Sequence, residues 1–92
     1  MSRQAIGNPD DIDRFARELK QFNTGLAESM TRLQAQFNRV GDTWRDENHR
    51  RFGEEFQQTM RVLNHFMRSS EQQIPALQKE AQALHEYLNR RH

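Results

Sequence analysis

The chain has 92 residues, a mean hydropathy of −1.13 and a hydrophobic share of 34%, so it is one small domain (residues 1–92) that can bury an apolar stripe but not a thick core. Its formal charge of +1 comes from interspersed acids and bases, which argues against nucleic-acid binding, and the absence of cysteine excludes disulfides and thiolate metal sites. No apolar run is long enough for a signal peptide or a membrane span, so we expect no membrane insertion and a protein that is cytoplasmic or secreted without a cleavable signal peptide.

The first predicted element is a helix over residues 9–40. Asn8 can cap it, Pro9 suits the first helical position, and the acidic pair that follows suits the positive end of the helix dipole. Apolar residues then recur at steps of three or four, as in a narrow bundle seam: Ile12, Phe15, Leu19, Phe22, Leu26, Met30, Leu33, Phe37 and Val40. This stripe predicts a helix that needs one neighbour. Gly25 interrupts good helix formers and is interpreted as a point of close helix approach.

Residues 41–45 are predicted to form the turn. Gly41 follows the last periodic residue, where a glycine in the left-handed conformation commonly ends a helix. Thr43 and Asp46 each suit a helix N-cap, and together they fit the Ser/Thr-x-x-acid capping pattern. The only tryptophan, Trp44, lies inside this turn, where its ring would close the end of the hairpin or dock a partner.

The second predicted helix covers residues 46–90 and is apolar over a wider arc than the first. Its periodic positions are Phe52, Phe56, Met60, Leu63, Met67, Ser70, Ile74, Leu77, Ala81, Leu84 and Leu88. Three further apolar residues flank them: Val62, Phe66 and Tyr87. Pro75 removes one backbone hydrogen bond, so a kink is expected near residues 72–75. The chain is therefore predicted to be all-α, an antiparallel helical hairpin with a kinked second helix.

A reversal near residues 42–44 sets the predicted register. It pairs Phe22 with Leu63, and the first helix then runs out opposite Pro75, which leaves the apolar residues beyond without an intramolecular partner. An apolar stripe left in water indicates an interaction surface, and small domains short of core commonly need oligomerisation. We expect a homodimer, or a heterodimer with a similar hairpin, that forms a four-helix bundle. The predicted dimer or partner surface consists of Val62, Phe66, Leu77, Ala81, Leu84, Tyr87 and Leu88.

A helical hairpin of about this length with a tryptophan at its turn resembles the WXG superfamily associated with type VII secretion. The resemblance rests on Trp44, on the position two residues later, on Phe52 eight residues later, and on the apolar residues of both helices. It implies hairpins that pair into elongated four-helix bundles. It also implies a non-enzymatic role as a secreted effector, a chaperone-like partner of effectors, or a target of a membrane ATPase.

Two positions depart from the family pattern. Asp46 stands where the family has glycine, and an aspartate can still cap the helix at this turn. The family's export signal places an acid four residues after a tyrosine, whereas Tyr87 is followed at that spacing by Arg91. The first hypothesis is a secretion-system substrate or adaptor that acts as a dimer. The alternative, favoured by Arg91, is a cytosolic coiled-coil scaffold or regulatory module that is not exported.

The sequence contains no pattern that indicates catalysis, a cofactor or a metal ion. No two of the four histidines are three or four residues apart, and the glycines do not form a phosphate-binding loop. Ser70 has no histidine–acid arrangement nearby, so its hydroxyl is expected to bond back to its own helix. Gly53, beside a phenylalanine, is expected to allow close packing of the hairpin near its turn.

The turn supplies the candidate recognition residues. Trp44 and Asp46 are the predicted turn motif for recognition by a partner, possible partners including a secretion ATPase. Arg45, Arg50 and Arg51 form a basic cluster, but acids are interleaved with them at ion-pair spacing. That pattern favours a solvated face, which makes a nucleic-acid binder the weakest of the three hypotheses.

Overall fold

The computed structural model describes residues 7–90, which form two long α-helices and no strand. Helix α1 spans Pro9–Val40 and helix α2 spans Glu47–Arg90. The helices pack side by side in opposite directions, and the resulting rod measures 69 × 23 × 16 Å. The prediction of an all-α helical hairpin is thereby confirmed. Arg91 lies outside the described residues.

The start of α1 is the one that its sequence predicts. The Asn8 side chain accepts hydrogen bonds from the backbone N–H groups of Asp10, at 2.8 Å, and Asp11, at 3.3 Å. Pro9 occupies the first turn, where its missing N–H leaves no helical bond unmade. In α2, the helix continues through Pro75 without a break, and the apolar repeat continues with it.

A single seam between the helices forms the core. Its buried residues recur mostly at intervals of seven, which place them on one line of each helix. They are Pro9, Ala16, Asn23 and Met30 on α1, and Met60, Ser70, Ile74, Ala81 and Leu84 on α2. Among residues 7–90 no phenylalanine is buried, because the predicted α1 stripe is covered along only one of its edges. The expectation that α1 needs a single neighbour is therefore wrong.

The predicted register of the hairpin is also wrong, by about two helical turns. The Asn23 side-chain amide donates a hydrogen bond of 2.6 Å to the Ser70 hydroxyl, whereas the sequence-based register placed Leu63 at that level of α1. Near the open end of the hairpin, His85 Nε2 lies 3.4 Å from a carboxylate oxygen of Asp10. Helix α1 therefore reaches well past the middle of α2.

The connection between the helices explains this shift. After Val40 the chain keeps turning, because the N–H groups of Gly41, Thr43 and Trp44 all bond back to carbonyls of the last turn of α1. Helix α2 consequently begins beyond the end of α1, and Phe37 is level with the second turn of α2 rather than with its first residues. The predicted register placed the reversal near residues 42–44 and did not include these additional turning residues. It therefore underestimated how far α1 extends along α2.

The predicted overhang beyond Pro75 is corrected by the same shift. Ala81 is 1% exposed and Leu84 is 9% exposed within the single chain, in the segment that the first turns of α1 flank. These two residues are therefore buried within the hairpin and do not form an uncovered apolar surface. Tyr87 and Leu88, farther along α2, remain exposed.

Candidate interaction surfaces

The Asp46 carboxylate accepts two hydrogen bonds at the turn. Asp46 stands directly before α2, and its Oδ1 accepts a hydrogen bond of 3.0 Å from the backbone N–H of His49, which caps the helix. The same oxygen accepts a hydrogen bond of 2.9 Å from the indole Nε1 of Trp44. Asp46 is one of the predicted capping residues, but its bond to the indole was missed by sequence reasoning. The carboxylate thus fixes both the start of α2 and the orientation of the tryptophan ring.

Gly41 continues the helical backbone and does not adopt a left-handed conformation. Its φ of −64° and ψ of −14° are right-handed helical values, so the predicted left-handed cap is wrong. A Cβ atom at this position would lie 3.3 Å from the carbonyl oxygen of Asn38 and 3.6 Å from Nε2 of His49. The His49 ring thus lies at ordinary van der Waals distance from this position.

Aromatic rings fill the space between the turn and the two helix ends. The His49 ring stacks on Phe37 with centroids 5.1 Å apart, and its edge meets Trp44 at 5.0 Å. Phe52 contacts both Phe37, at 6.1 Å, and Trp44, at 6.2 Å. A Cβ at Gly53 would lie 3.0 Å from the Phe37 ring, which confirms the predicted close packing near the turn. Trp44 is half-buried in this cluster, and Phe52 is its most exposed member.

Two of the three arginines at the turn, Arg45 and Arg50, bond within the chain. Arg45 Nε donates a hydrogen bond of 2.8 Å to the carbonyl oxygen of Gly41. Arg50 forms ion pairs with Glu47 and Glu54 on the exposed side of α2, as the interleaved charges predict. The hydrogen bond to Glu47, followed by the charge of Glu54, raises the pKa of Arg50 above its ordinary value. This arrangement is that of a solvated, charge-balanced face.

A second surface runs the length of the hairpin on one side of the seam. We call it the aromatic face, and it consists of Phe15, Phe22, Leu33, Val40, Phe52, Val62, Phe66 and Leu77. The first seven of these residues are 40–57% exposed, and Leu77 is half-buried. Phe22 and Phe66 meet edge to face across the two helices with centroids 5.9 Å apart, which joins the two halves into one surface.

The opposite side of the seam, which we call the polar face, is different. A groove of about 510 Å³ runs along it, with methionines of the seam at its base. Small or polar residues line the rest of this groove: Ala27, Thr31, Gln34, Ala35, Asn38 and Asn64. None of the large exposed apolar side chains among the described residues belongs to this lining. The hairpin thus has one apolar side and one that water can solvate.

The predicted dimer surface is divided by the structure. Val62, Phe66 and the half-buried Leu77 lie on the aromatic face. Tyr87 and Leu88 are 47% and 37% exposed near the end of α2. The remaining two, Ala81 and Leu84, belong to the seam. Sequence reasoning counted the phenylalanines of α1 as core, so it missed the half of the aromatic face that α1 supplies.

One polar contact across the seam was also missed. Asn23 and Ser70 share a buried hydrogen bond, and the Ser70 hydroxyl also donates to the carbonyl of Met67 at 3.1 Å, which confirms its predicted bond to its own helix. The only sequence signal for Asn23 is its place in the seven-residue repeat of Ala16 and Met30. Within residues 7–90 no three potential metal ligands are grouped, and neither helix is long and apolar enough to cross a membrane.

Comparison with protein families gives one finding. The family model WXG100, described as proteins of 100 residues with WXG, matches residues 6–88. This range includes the turn, the seam and all of the aromatic face. No curated protein and no solved structure gives a significant match to the chain.

Proposed function

Since the chain belongs to the WXG100 family, whose members are small, helical, non-enzymatic proteins linked to type VII secretion, we propose that it is a secretion-system substrate, or an adaptor or chaperone-like partner of one, and that it acts as a dimer. The aromatic face is the dimer surface. Trp44 and Asp46 form the element that a further partner, such as a secretion ATPase, recognises. The dimer brings two such turns into one particle.

The observation that carries this proposal is the exposure of large apolar side chains on a chain whose total accessible surface is unusually large. Its accessible surface is 7469 Å², whereas a compact protein of 11.0 kDa exposes about 5,600 Å². Seven large apolar residues of the aromatic face are 40–57% exposed, and contiguous exposed apolar patches are typical of interaction sites. The excess is large enough to supply the roughly 800 Å² that each partner contributes to a stable interface.

The turn supports a recognition role because its tryptophan is both held and accessible. The Asp46 carboxylate and the His49 and Phe52 rings fix the indole, so little side-chain entropy is lost when a partner binds it. Trp44 is only half-buried, which leaves part of its ring free for contact. Partly exposed tryptophans in fixed positions are frequent hot spots of protein interfaces.

Fractionation of a tagged strain tests the secretion role. We expect the protein in the culture medium of a strain with an intact type VII ATPase, and only in cells when that ATPase is deleted. Trp44→Ala should reduce export without changing helical content, and Trp44→Phe, which keeps apolar bulk at the turn, should reduce it less. A fall in melting temperature that parallels the fall in export would show that the ring is structural instead.

The alternative function is a cytosolic coiled-coil scaffold or regulatory module. Arg91 favours it, since the charge at that position is opposite to that of the family's export signal. Protein that stays in the cells of both strains, while remaining dimeric, would support this alternative. Replacing Arg91 by glutamate in the same experiment measures whether the charge reversal alone prevents export.

A further inference from the structure

We propose that a cavity on the polar face, beside the buried side chain of Asn23, binds a basic side chain, lysine or arginine, that another protein presents. We call it the Asn23 cavity. It lies next to the groove described above, toward the open end of the hairpin, and shares Ala27 and Met67 with that groove. No residue of the aromatic face lines it, so the inference does not depend on the proposed dimer.

The Asn23 cavity has the size and the mixed lining of a ligand site. Its volume is about 580 Å³, within the range of about 300–1,000 Å³ that is usual for ligand pockets. Its apolar wall comes from both helices and includes Ala27, Met67 and Ile74. Such a wall suits the aliphatic stem of a lysine or arginine, which buries its methylene groups while its charged end makes polar contacts.

Asn23 supplies an acceptor that the chain leaves unused. The residue is 6% exposed, and its amide nitrogen donates a hydrogen bond of 2.6 Å to the Ser70 hydroxyl. Ser70 gives its own proton to the carbonyl of Met67, so it cannot donate to Asn23 as well. The amide oxygen of Asn23, Oδ1, therefore has no hydrogen-bond partner among residues 7–90. A buried acceptor without a donor costs free energy, and a donor that enters the cavity would recover it.

The position of Asn23 in the seam points to a use for this acceptor. Asn23 occupies the seven-residue line of Ala16 and Met30, where an apolar side chain would bury no polar atom at all. Its bond to Ser70 uses only one end of the amide. Residues that break a local packing rule without an evident gain are typical of functional sites.

Charged residues around the cavity indicate that the ligand is a cation. Glu28 on α1 and Glu71 on α2 both line it, and so does Lys20. In the part of the chain that the structure describes, none of these three forms an ion pair, whereas Arg50 pairs with two acids of its own helix. One lysine and two glutamates give the lining a formal charge of −1. An ammonium or guanidinium group would pair with the carboxylates and also donate to Asn23 Oδ1.

Other ligand classes fit the cavity less well. An anion would pair with Lys20 but would meet carboxylates from both helices, and it would bring no N–H group to Asn23. An uncharged amide would supply the N–H group but would leave both carboxylates unpaired. A free diamine has a suitable charge at one end, but its second ammonium would lie against the neighbouring groove, whose lining is uncharged. That uncharged groove instead suits the rest of a protein segment that carries the basic side chain.

The first experiment is an NMR titration of the protein with labelled methionine and isoleucine methyl groups. The probe is N-acetyl-arginine methylamide, and its control is N-acetyl-citrulline methylamide, which has a similar shape and N–H groups but no charge. The methyl resonances of Met67 and Ile74 report on the cavity. We expect saturable shifts with the arginine probe and a Kd at least about fivefold higher for the citrulline probe. Absent shifts, or equal affinity for the two probes, overturn the proposal.

Putrescine, a free diamine, is the third probe in the same titration. A protein side chain as the ligand predicts that putrescine binds more weakly than the arginine probe, because the second ammonium finds no acceptor in the groove. Tighter binding of putrescine would assign the cavity to free amines and overturn the proposal.

Substitutions test which charges hold the probe. Glu28→Gln and Glu71→Gln should each raise the Kd of the arginine probe about threefold, and Lys20→Gln, which removes a like charge, should lower it. Glu80→Gln is the matched control, because Glu80 is exposed on α2 and lies outside the cavity lining. All four residues are exposed, so helical content should not change. An equal rise of the Kd in Glu80→Gln would mean attraction to the overall charge rather than to the cavity, and would overturn the proposal.

The second experiment supplies the basic side chain from within the chain. A helical side chain leans over the turn that precedes its own residue, so an arginine at position 27 would reach back toward Asn23. Arginine and methionine have similar helix propensities, and no acid of α1 lies three or four residues from Ala27. In urea denaturation, Ala27→Arg should therefore have an unfolding constant about threefold lower than that of Ala27→Met. Equal unfolding constants overturn the proposal.

The outcomes separate this inference from the proposed function. The Asn23 cavity is formed by a single chain, so selective binding of the arginine probe supports it whether or not the protein dimerises or is exported. Dimerisation and export without selective probe binding would overturn the Asn23 cavity as a site and leave the proposed function in place.

Discussion

The seam and the aromatic face lie side by side on the same two helices, yet they are built from different side chains. The seam uses alanine, methionine, isoleucine and a polar pair, and the face carries four of the six phenylalanines. Small residues let two backbones approach closely, whereas large rings supply area to a second surface. The hairpin and the proposed dimer would therefore depend on separate sets of residues, and substitutions can test each set separately.

The largest expected effect is a charge placed in the seam. Ala81 is 1% exposed, so Ala81→Glu should lower the free energy of unfolding by at least about 3 kcal/mol, because the carboxylate would be buried without a partner. Ala83→Glu, on the exposed side of the same turn, should change it by less than about 0.5 kcal/mol. Urea denaturation followed by circular dichroism compares the two. Equal effects would mean that the seam does not form as described.

The next two substitutions distinguish the seam from the aromatic face, because only a loss of stability on the aromatic face should depend on protein concentration. Ile74→Ala should cost about 2–4 kcal/mol at any protein concentration, because the residue is buried within one chain. Phe22→Ala removes a ring that is 56% exposed in the single chain, so its cost should appear mainly where the dimer forms. Melting curves at concentrations a hundredfold or so apart measure this. A Phe22→Ala effect that persists undiminished on dilution would assign the ring to the hairpin itself.

A smaller effect concerns the polar pair of the seam. Ser70→Ala leaves the Asn23 amide buried without its partner and should cost about 1–3 kcal/mol. The double variant Asn23→Leu/Ser70→Ala removes both groups and should recover most of that stability while losing the preference for one register. Cysteines at Asp10 and His85 report the register, since they crosslink only if α1 reaches the end of α2. Undiminished crosslinking in the double variant would show that the loop alone sets the register.

The helices could be predicted from sequence because their signals are local. Asn8 and Pro9 mark a start, and steps of three and four mark the apolar side of each helix. The register could not be predicted, because two alignments about two turns apart both place apolar residues on apolar residues. Only the buried Asn23–Ser70 pair and the helical path of the loop distinguish them, and neither is visible in a periodic pattern.

The candidate site could be predicted only in part, because residue types are visible in the sequence but the contacts between residues are not. Trp44 and Asp46 stand out by residue type, but their hydrogen bond depends on the backbone path between them. Gly41 was expected to adopt a left-handed conformation, because sequence does not show that the N–H groups of Thr43 and Trp44 bond back to Val40 and keep the backbone right-handed. Likewise, Gly25 was interpreted as a point of close helix approach, but beyond its own stretch of α1 no atom lies within 4 Å of its Cβ position. Periodicity identifies an apolar arc but does not state which edge of it a neighbour covers.

The smallest expected effect is at the turn, which belongs to neither the seam nor the aromatic face. Asp46→Gly restores the residue that the family pattern has at this position. Because glycine also serves as an N-cap, this variant should lose only a few tenths of a kcal/mol of capping free energy. Asp46→Ala should lose about 1 kcal/mol. Both variants remove the acceptor of the indole N–H, so the single indole resonance in the NMR spectrum should shift and its hydrogen should exchange faster with solvent. If the indole resonance moves in both variants while the dimer Kd stays unchanged, the turn presents its tryptophan independently of assembly. An indole resonance that does not move would mean that the rings of His49 and Phe52, rather than the carboxylate, hold Trp44 in place.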